Sequence, residues 1–191
     1  MYLFFDTETN GLPKDWKAPA DQFDNWPRII QLAYAVFDEK EQLIVKSCNL
    51  IKPDGWEIPK LKFWIDNGYS TEKNMEQGIP LRHALSSFVS HRTLSDYSIA
   101  HNMAFDSKII RAEMIRMGLD MKFDSKKICT MNESTNFCQL PGARGFKWPK
   151  LEELHRKLFG CDFTGAHDAM ADVLATAKCF FELKKLNVIK L

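Results

Sequence analysis

A chain of 191 residues with 45% hydrophobic and 27% charged side chains can bury a full core without disulfide or metal staples, which excludes intrinsic disorder and disulfide miniatures. The net charge of +1 gives no long-range pull toward a polyanion, so any nucleic-acid binding must come from local charge or from bound cations. Cys48, Cys129, Cys138, Cys161 and Cys179 form an odd set without Cys-x-x-Cys spacing, which argues against a disulfide framework or zinc ribbon and for a reducing compartment, with the thiols as buried fillers. No apolar run reaches membrane-spanning length and no basic leader opens the chain, so one soluble cytoplasmic domain over residues 1–191 is the expectation.

Tyr2-Leu3-Phe4-Phe5 reads as a buried strand and runs into Asp6, Glu8 and the turn-forming Asn10-Gly11-Leu12-Pro13. Residues 14–27 read as a loop. Residues 28–37 and 42–51 read as two further strands, and the short polar link Asp38-Glu39-Lys40-Glu41 makes them a hairpin. Helical periods follow at 60–67, 71–77 and 80–91, the last with Leu81, Ala84, Leu85 and Phe88 on one face. Ser95 to Ala100 is a fourth strand, and the helix after it carries Phe105, Ile109, Ile110, Met114 and Met117 until Gly118 stops it. Lys127 to Met131 reads as a short fifth strand, and helices over Lys150 to Phe159 and Asp168 to Leu186 close the chain. This order predicts an α/β fold: a mixed sheet flanked by helices, with ligands at the carboxyl ends of the strands.

Chemistry concentrates in three places. In a strand, Asp6 and Glu8 project to one face, where two carboxylates at the end of an apolar segment repel each other unless a cation neutralises them. The plain alternative is that one of them begins the turn. Asp106 falls in the first turn of the helix after the fourth strand, a position the helix dipole favours by about 0.3 to 1 kcal/mol without any ligand, and Asn102 could cap that helix. In His167-Asp168-Ala169-Met170-Ala171-Asp172 two pairings compete. Asp168 and Asp172 are i and i+4, whereas His167 and Asp172 are i and i+5 and meet only if His167 lies in the preceding loop or a metal and water sit between them. Pro141 to Trp148 mixes Arg144 and Lys147 with Phe146 and Trp148; it reads either as a strand-binding rim or as a surface loop with both aromatics tucked into the core, the second being the expectation. Lys122, Lys126 and Lys127 read as a solvated basic cluster.

Phe5-Asp6-Thr7-Glu8-Thr9-Asn10-Gly11, Ala100-His101-Asn102-x-x-Phe105-Asp106 and His167-Asp168-Ala169-x-x-Asp172 together resemble the three motifs of the DEDDh family, the proofreading-type 3′-to-5′ exonucleases. The resemblance spans residues 1 to about 180, and Pro27 to Ala33 resembles the second strand of these enzymes. It implies a ribonuclease H-like five-stranded sheet, antiparallel over strands one to three and parallel beyond. It also implies that Asp6, Glu8, Asp106 and Asp172 hold two Mg²⁺ or Mn²⁺ ions, Asp106 largely through water, and that His167 is the general base. Thr7 and Thr9 would meet the terminal nucleotide, Leu12 would wedge between the last two bases, and Asn102 and Phe105 would flank the strand. Asn10 stands where many members carry a second threonine.

The implied reaction is hydrolysis at the 3′ end of single-stranded DNA, releasing nucleoside 5′-monophosphates. Two other readings stay open: an RNA-trimming exoribonuclease, and a proofreading subunit that docks to a polymerase or to another replication or repair partner through Leu183, Leu186, Val188, Ile189 and Leu191, residues whose expected place is the chain's own core. A module that only binds nucleic acid is disfavoured, since no motif carboxylate is missing. The sequence leaves the oligomeric state undetermined.

Overall fold

The computed structural model describes residues 1–119 and 125–191, so Lys122 of the basic cluster lies outside the described residues. Strands β1 (Tyr2–Thr9), β2 (Ile29–Phe37) and β3 (Leu43–Leu50) form the antiparallel start. Helices α1 (Lys62–Asp66), α2 (Thr71–Gln77) and α3 (Leu81–Thr93) lead to β4 (Tyr97–Ala100), α4 (Met103–Arg116) and β5 (Lys126–Cys129). Two one-turn helices, α5 (Thr130–Glu133) and α6 (Thr135–Cys138), and a small hairpin of β6 (Pro141–Gly142) and β7 (Gly145–Phe146) precede α7 (Leu151–Phe159) and α8 (Ala169–Lys185). Among the described residues no helix is long and apolar enough to cross a membrane.

The main sheet runs β3-β2-β1-β4-β5, with β1 antiparallel to β2, β2 antiparallel to β3, and the β1–β4 and β4–β5 pairs parallel. This is the ribonuclease H-like mixed sheet that the motifs imply. Alternation along β1 decides which side chain faces which layer. Leu3 and Phe5 pack with Ala84, Leu85 and Phe88 of α3 and Ile109 and Ile110 of α4, whereas Tyr2 and Phe4 pack with Val173, Phe180 and Leu183 of α8. Ala33 and Ala35 of β2 share the α8 face, and their small side chains let that helix lie close to the sheet.

Several expectations are corrected. Phe146 is 50% and Trp148 66% exposed, so neither is tucked into the core: Phe146 is held instead in the two-residue β6–β7 pairing, opposite Pro141. Of the five thiols only Cys138 and Cys179 are buried; Cys48 is exposed on the edge strand β3, Cys161 is exposed just beyond α7, and Cys129 is intermediate. Asn102 occupies the N-cap position of α4, but in left-handed conformation (φ 75°) and with no capping bond from its side chain.

Candidate metal and nucleic-acid site

Along β1, Asp6 and Glu8 continue the face of Tyr2 and Phe4 and point toward the layer of α8, while Thr7 points toward α4. The β1–β2 register shifts between Glu8 and Thr9, which ends regular pairing where the carboxylates sit. The β1–β4 ladder ends at Phe4 and Ile99, and the sharp turn at His101-Asn102 brings the start of α4 over the same edge. There Asp106 Oδ1 accepts hydrogen bonds from the Thr7 amide (3.0 Å) and the Thr7 hydroxyl (2.8 Å).

His101, in that turn, is a brace. Its Nε2 lies 3.0 Å from the Pro149 carbonyl, which can only accept, so Nδ1 accepts from the Thr130 hydroxyl at 3.0 Å. Burial pulls the His101 pKa down to about 4, which keeps the ring neutral as this arrangement requires. The segment bearing Trp148 is thereby tied to the edge that carries Asp106.

On the other layer, the rivalry in the third motif resolves through backbone conformation. Asp168 is the N-cap of α8, accepting from the Met170 and Ala171 amides at 3.1 Å each. His167 precedes the helix with φ 69°, a costly conformation for a side chain of its size, and its amide donates to Asp172 Oδ2 at 3.3 Å. Gly165, at φ 84°, makes the approach possible: a Cβ there would lie 3.1 Å from Ala171 Cβ. Ligand atoms of Glu8, His167 and Asp172 consequently lie within 4.8 Å of one another.

The hub behind this arrangement is Gln31, which sits opposite Glu8 on β2. Its Oε1 accepts from the Tyr69 hydroxyl (2.6 Å) and the Ala169 amide (3.0 Å), while its Nε2 donates to Asp168 Oδ2 (3.1 Å). The Tyr69 hydroxyl also lies 3.0 Å from the His167 carbonyl, and the Phe63 ring meets the His167 ring edge-on at 5.4 Å. Sequence reasoning did not single out Gln31, Tyr69 or Phe63. The one available signal was an amide side chain within the apolar run Ile29-Ile30-Gln31-Leu32.

Electrostatics sets this edge apart. Burial raises Asp6 well above its ordinary pKa, and Asp106, Glu8, Asp172 and Asp168 raise it further. Glu8 is pushed up to about 8 by burial and then by Asp172 and Asp106. Burial lifts Asp106 to about 7 against the two Thr7 hydrogen bonds, and lifts Asp172 to about 7 against the His167 amide. Asp172 Oδ1 is buried and has no hydrogen-bond partner among the described residues. Four oxygen-donor acids, one imidazole and an orphaned carboxylate oxygen fit a hard divalent cation.

Beside the carboxylates lies a cleft of about 570 Å³ lined by Thr7, Glu8, Thr9, Leu12, Phe63 and Phe105, among others. Leu12 is 72% exposed at its mouth. The Thr7 hydroxyl is engaged by Asp106, and the Thr9 hydroxyl donates to the Gly11 carbonyl at 2.7 Å. Trp16 packs on Phe105 at 5.6 Å. Asn102 stands at the start of α4, just ahead of Phe105 and Asp106.

A five-stranded mixed sheet in this order, with an acidic carboxyl edge, defines the ribonuclease H-like exonuclease fold. A family model described as Exonuclease, that of RNase T, matches residues 3–180, and the chain belongs to this DEDDh exonuclease family. No curated protein sequence matches the chain. Among solved structures it is similar to E. coli Exonuclease I in complex with a dT13 oligonucleotide (TM-score 0.72, 24% identity) and with a dA16 oligonucleotide (0.74, 22%). It is also similar to the zinc ion bound form of the E. coli ExoI–ssDNA complex (0.74, 23%). These comparisons cover 96%, 96% and 97% of this chain but 40% of each of those chains, so the chain spans about 40% of their length.

Proposed function

We propose that this chain is a 3′-to-5′ exonuclease domain, residues 1–191, that removes nucleoside 5′-monophosphates from single-stranded DNA with the help of two Mg²⁺ or Mn²⁺ ions. The observation that carries the reading is the meeting of Glu8, His167 and Asp172 within 4.8 Å at an edge where burial and the neighbouring acids, Asp106 first, raise the pKa of Asp6. The oligonucleotide-bound Exonuclease I structures support single-stranded DNA as the substrate.

Asp6, Glu8, Asp106 and Asp172 would hold the ions, and His167 would take the proton from the attacking water. When bound, a pair of divalent ions supplies charge stabilisation to the attacking and leaving oxygens of an in-line displacement. The left-handed backbone of His167 aims the imidazole at the carboxylates instead of into the helix, and Gln31 and Tyr69 hold that backbone in place. Leu12 and Phe105 bracket the terminal nucleotide, Thr7 and Thr9 line the cleft beneath it, and Asn102 flanks the strand. Beyond the cleft, Phe146, Trp148 and Arg144 offer bases and phosphates an exposed rim. The polymerase-docking reading loses most of its surface, because Leu183 and Ile189 are buried and Val188 is partly so, which leaves Leu186 and Leu191 exposed.

Single-stranded DNA and RNA labelled at either end, incubated with Mg²⁺, Mn²⁺ or chelator, test the reading. The expected product is a ladder shortening from the 3′ end only when metal is present, faster on DNA. Faster loss of RNA selects the exoribonuclease instead, and no cleavage by folded protein under any metal ends the enzymatic reading.

A further inference from the structure

A second concavity, of about 470 Å³, lies next to the catalytic cleft; Arg28, Lys52, Trp56, Pro80 and Arg82 are among its lining residues. The two spaces share no lining residue, but two sets of contacts join the segments around them. Asn10, directly after β1, donates from Nδ2 to the Glu57 carbonyl (3.1 Å) and accepts from the Arg28 amide (2.8 Å). Trp56 and Trp64 both pack on the cluster of Ile30, Ile58 and Tyr69, with Trp64 lining the catalytic cleft and Trp56 the second concavity.

The walls of the concavity divide by chemistry. Trp56, Pro53, Pro80 and Leu81 are apolar. Lys52 and Arg82 are exposed and have no ion-pair partner among the described residues, and Asp54 is the lone acid lining the space. Arg28 is balanced by Glu113, and its guanidinium carbon lies 5.4 Å from the centroid of the Trp56 ring. Helix α3, thirteen residues long, begins at this rim with Pro80 as N-cap and no side-chain capping bond, the helix end that favours anions. An apolar plate beside two unpaired cations suits a base with its phosphate.

We propose that this concavity binds a nucleotide of the single-stranded substrate upstream of its 3′ end, with Lys52 and Arg82 on the phosphates and Trp56 against a base. The proposal rests on the exonuclease reading. A strand leaving the catalytic cleft past the Asn10–Glu57 contact reaches Trp56 next.

The test compares the wild type with a Lys52→Ala/Arg82→Ala double variant on a thymidine trinucleotide and a thymidine dodecamer. Both side chains are exposed, so the fold tolerates their loss. The expected effect is confined to the dodecamer: KM rises about tenfold with kcat unchanged. The slope of log KM against log salt becomes shallower by about 1.4, or about 0.7 for each lost phosphate contact. Equal effects on both lengths, or none on either, overturn the proposal. So does weakened inhibition by free thymidine monophosphate with dodecamer kinetics unchanged, since the space then takes a free nucleotide. Anisotropy of a labelled dodecamer with Ca²⁺ separates the two readings. Wild-type binding that the double variant loses, with no cleavage by either when Mg²⁺ or Mn²⁺ replaces Ca²⁺, sinks the exonuclease assignment and keeps this site; no binding by the wild type sinks both.

Discussion

Helix α4 carries two buried carboxylates under opposite conditions. Glu113, near its end, accepts from Arg28 Nε at 2.7 Å and from the Ile29 amide at 3.2 Å, and lies 3.3 Å from Arg116 Nη1. Asp106, in the first turn, receives two hydrogen bonds from Thr7 and faces three other acids across the sheet edge. The charge of Glu113 is balanced within the chain by Arg28 and Arg116, although its Oε2 is buried without a hydrogen-bond partner, whereas no cationic side chain balances Asp106, whose charge is met only by protons or by a cation from outside. Burial of an acid is therefore no mark of function; burial among like charges is.

The sharpest way to break this comparison is to remove one member of the uncompensated set. Asp6→Ala should abolish turnover and divalent-ion binding while raising the melting temperature in chelator at pH 8, since one charge leaves a crowded group. Isothermal titration with Mn²⁺ and differential scanning calorimetry read both effects, and a fall in chelator stability would contradict the account. His167→Ala should cost about 10² to 10⁴ in kcat yet leave ion binding measurable in the same titration. Unchanged turnover would take His167 out of the mechanism. Glu113→Ala should behave in the opposite sense, losing about 3 kcal/mol in urea denaturation because Arg28 and Arg116 keep their charge without a counterion, while the folded fraction still cleaves a trinucleotide.

Smaller effects refine the same contrast. Gln31→Leu should lower kcat about tenfold with KM nearly unchanged, because the backbone at His167 and Asp168 loses its tether but the cleft is intact. Gln31→Glu, which keeps the acceptor for Tyr69 and Ala169 but sets a carboxylate against Asp168, should rescue less at high pH than at low pH, which separates positioning from general loosening. The pH response follows from Glu8 near 8 and Asp106 and Asp172 near 7, all above the unfolded value near 4. With folded pKa values raised, the metal-free protein takes up protons on folding. These groups therefore favour folding fully below about pH 4, and that contribution is lost as pH rises through about 7 to 8. Added Mg²⁺ should restore stability most at the alkaline end of that window, a gain that melting curves with and without the ion would reveal and that Asp106→Asn should reduce.

Much of this was legible before any coordinates. The strand runs, the polar link between the second and third strands and the helix-stopping Gly118 are local signals, and β1 to β5 and α4 follow them. What escaped was set by distant partners. Gln31 is one polar residue in an apolar strand until α8 and Tyr69 arrive beside it. The one-turn helices α5 and α6 are too short to leave a periodic trace, and the β6–β7 hairpin is held by a two-residue pairing that no alternation could announce. His167 and Asp172 had incompatible spacing for a continuous helix, and a single positive φ angle reconciled them.

The placement of the acids on β1 has a mechanical result. Asp172 stands on the helix layer that covers one face of the sheet and Asp106 on the layer that covers the other, with Asp6 and Glu8 on the strand between them. A cation gripped by all of them would rivet three tiers together at one rim, so its arrival should slow amide exchange in α4 and α8 alike, and its loss would let both tiers breathe as a pair.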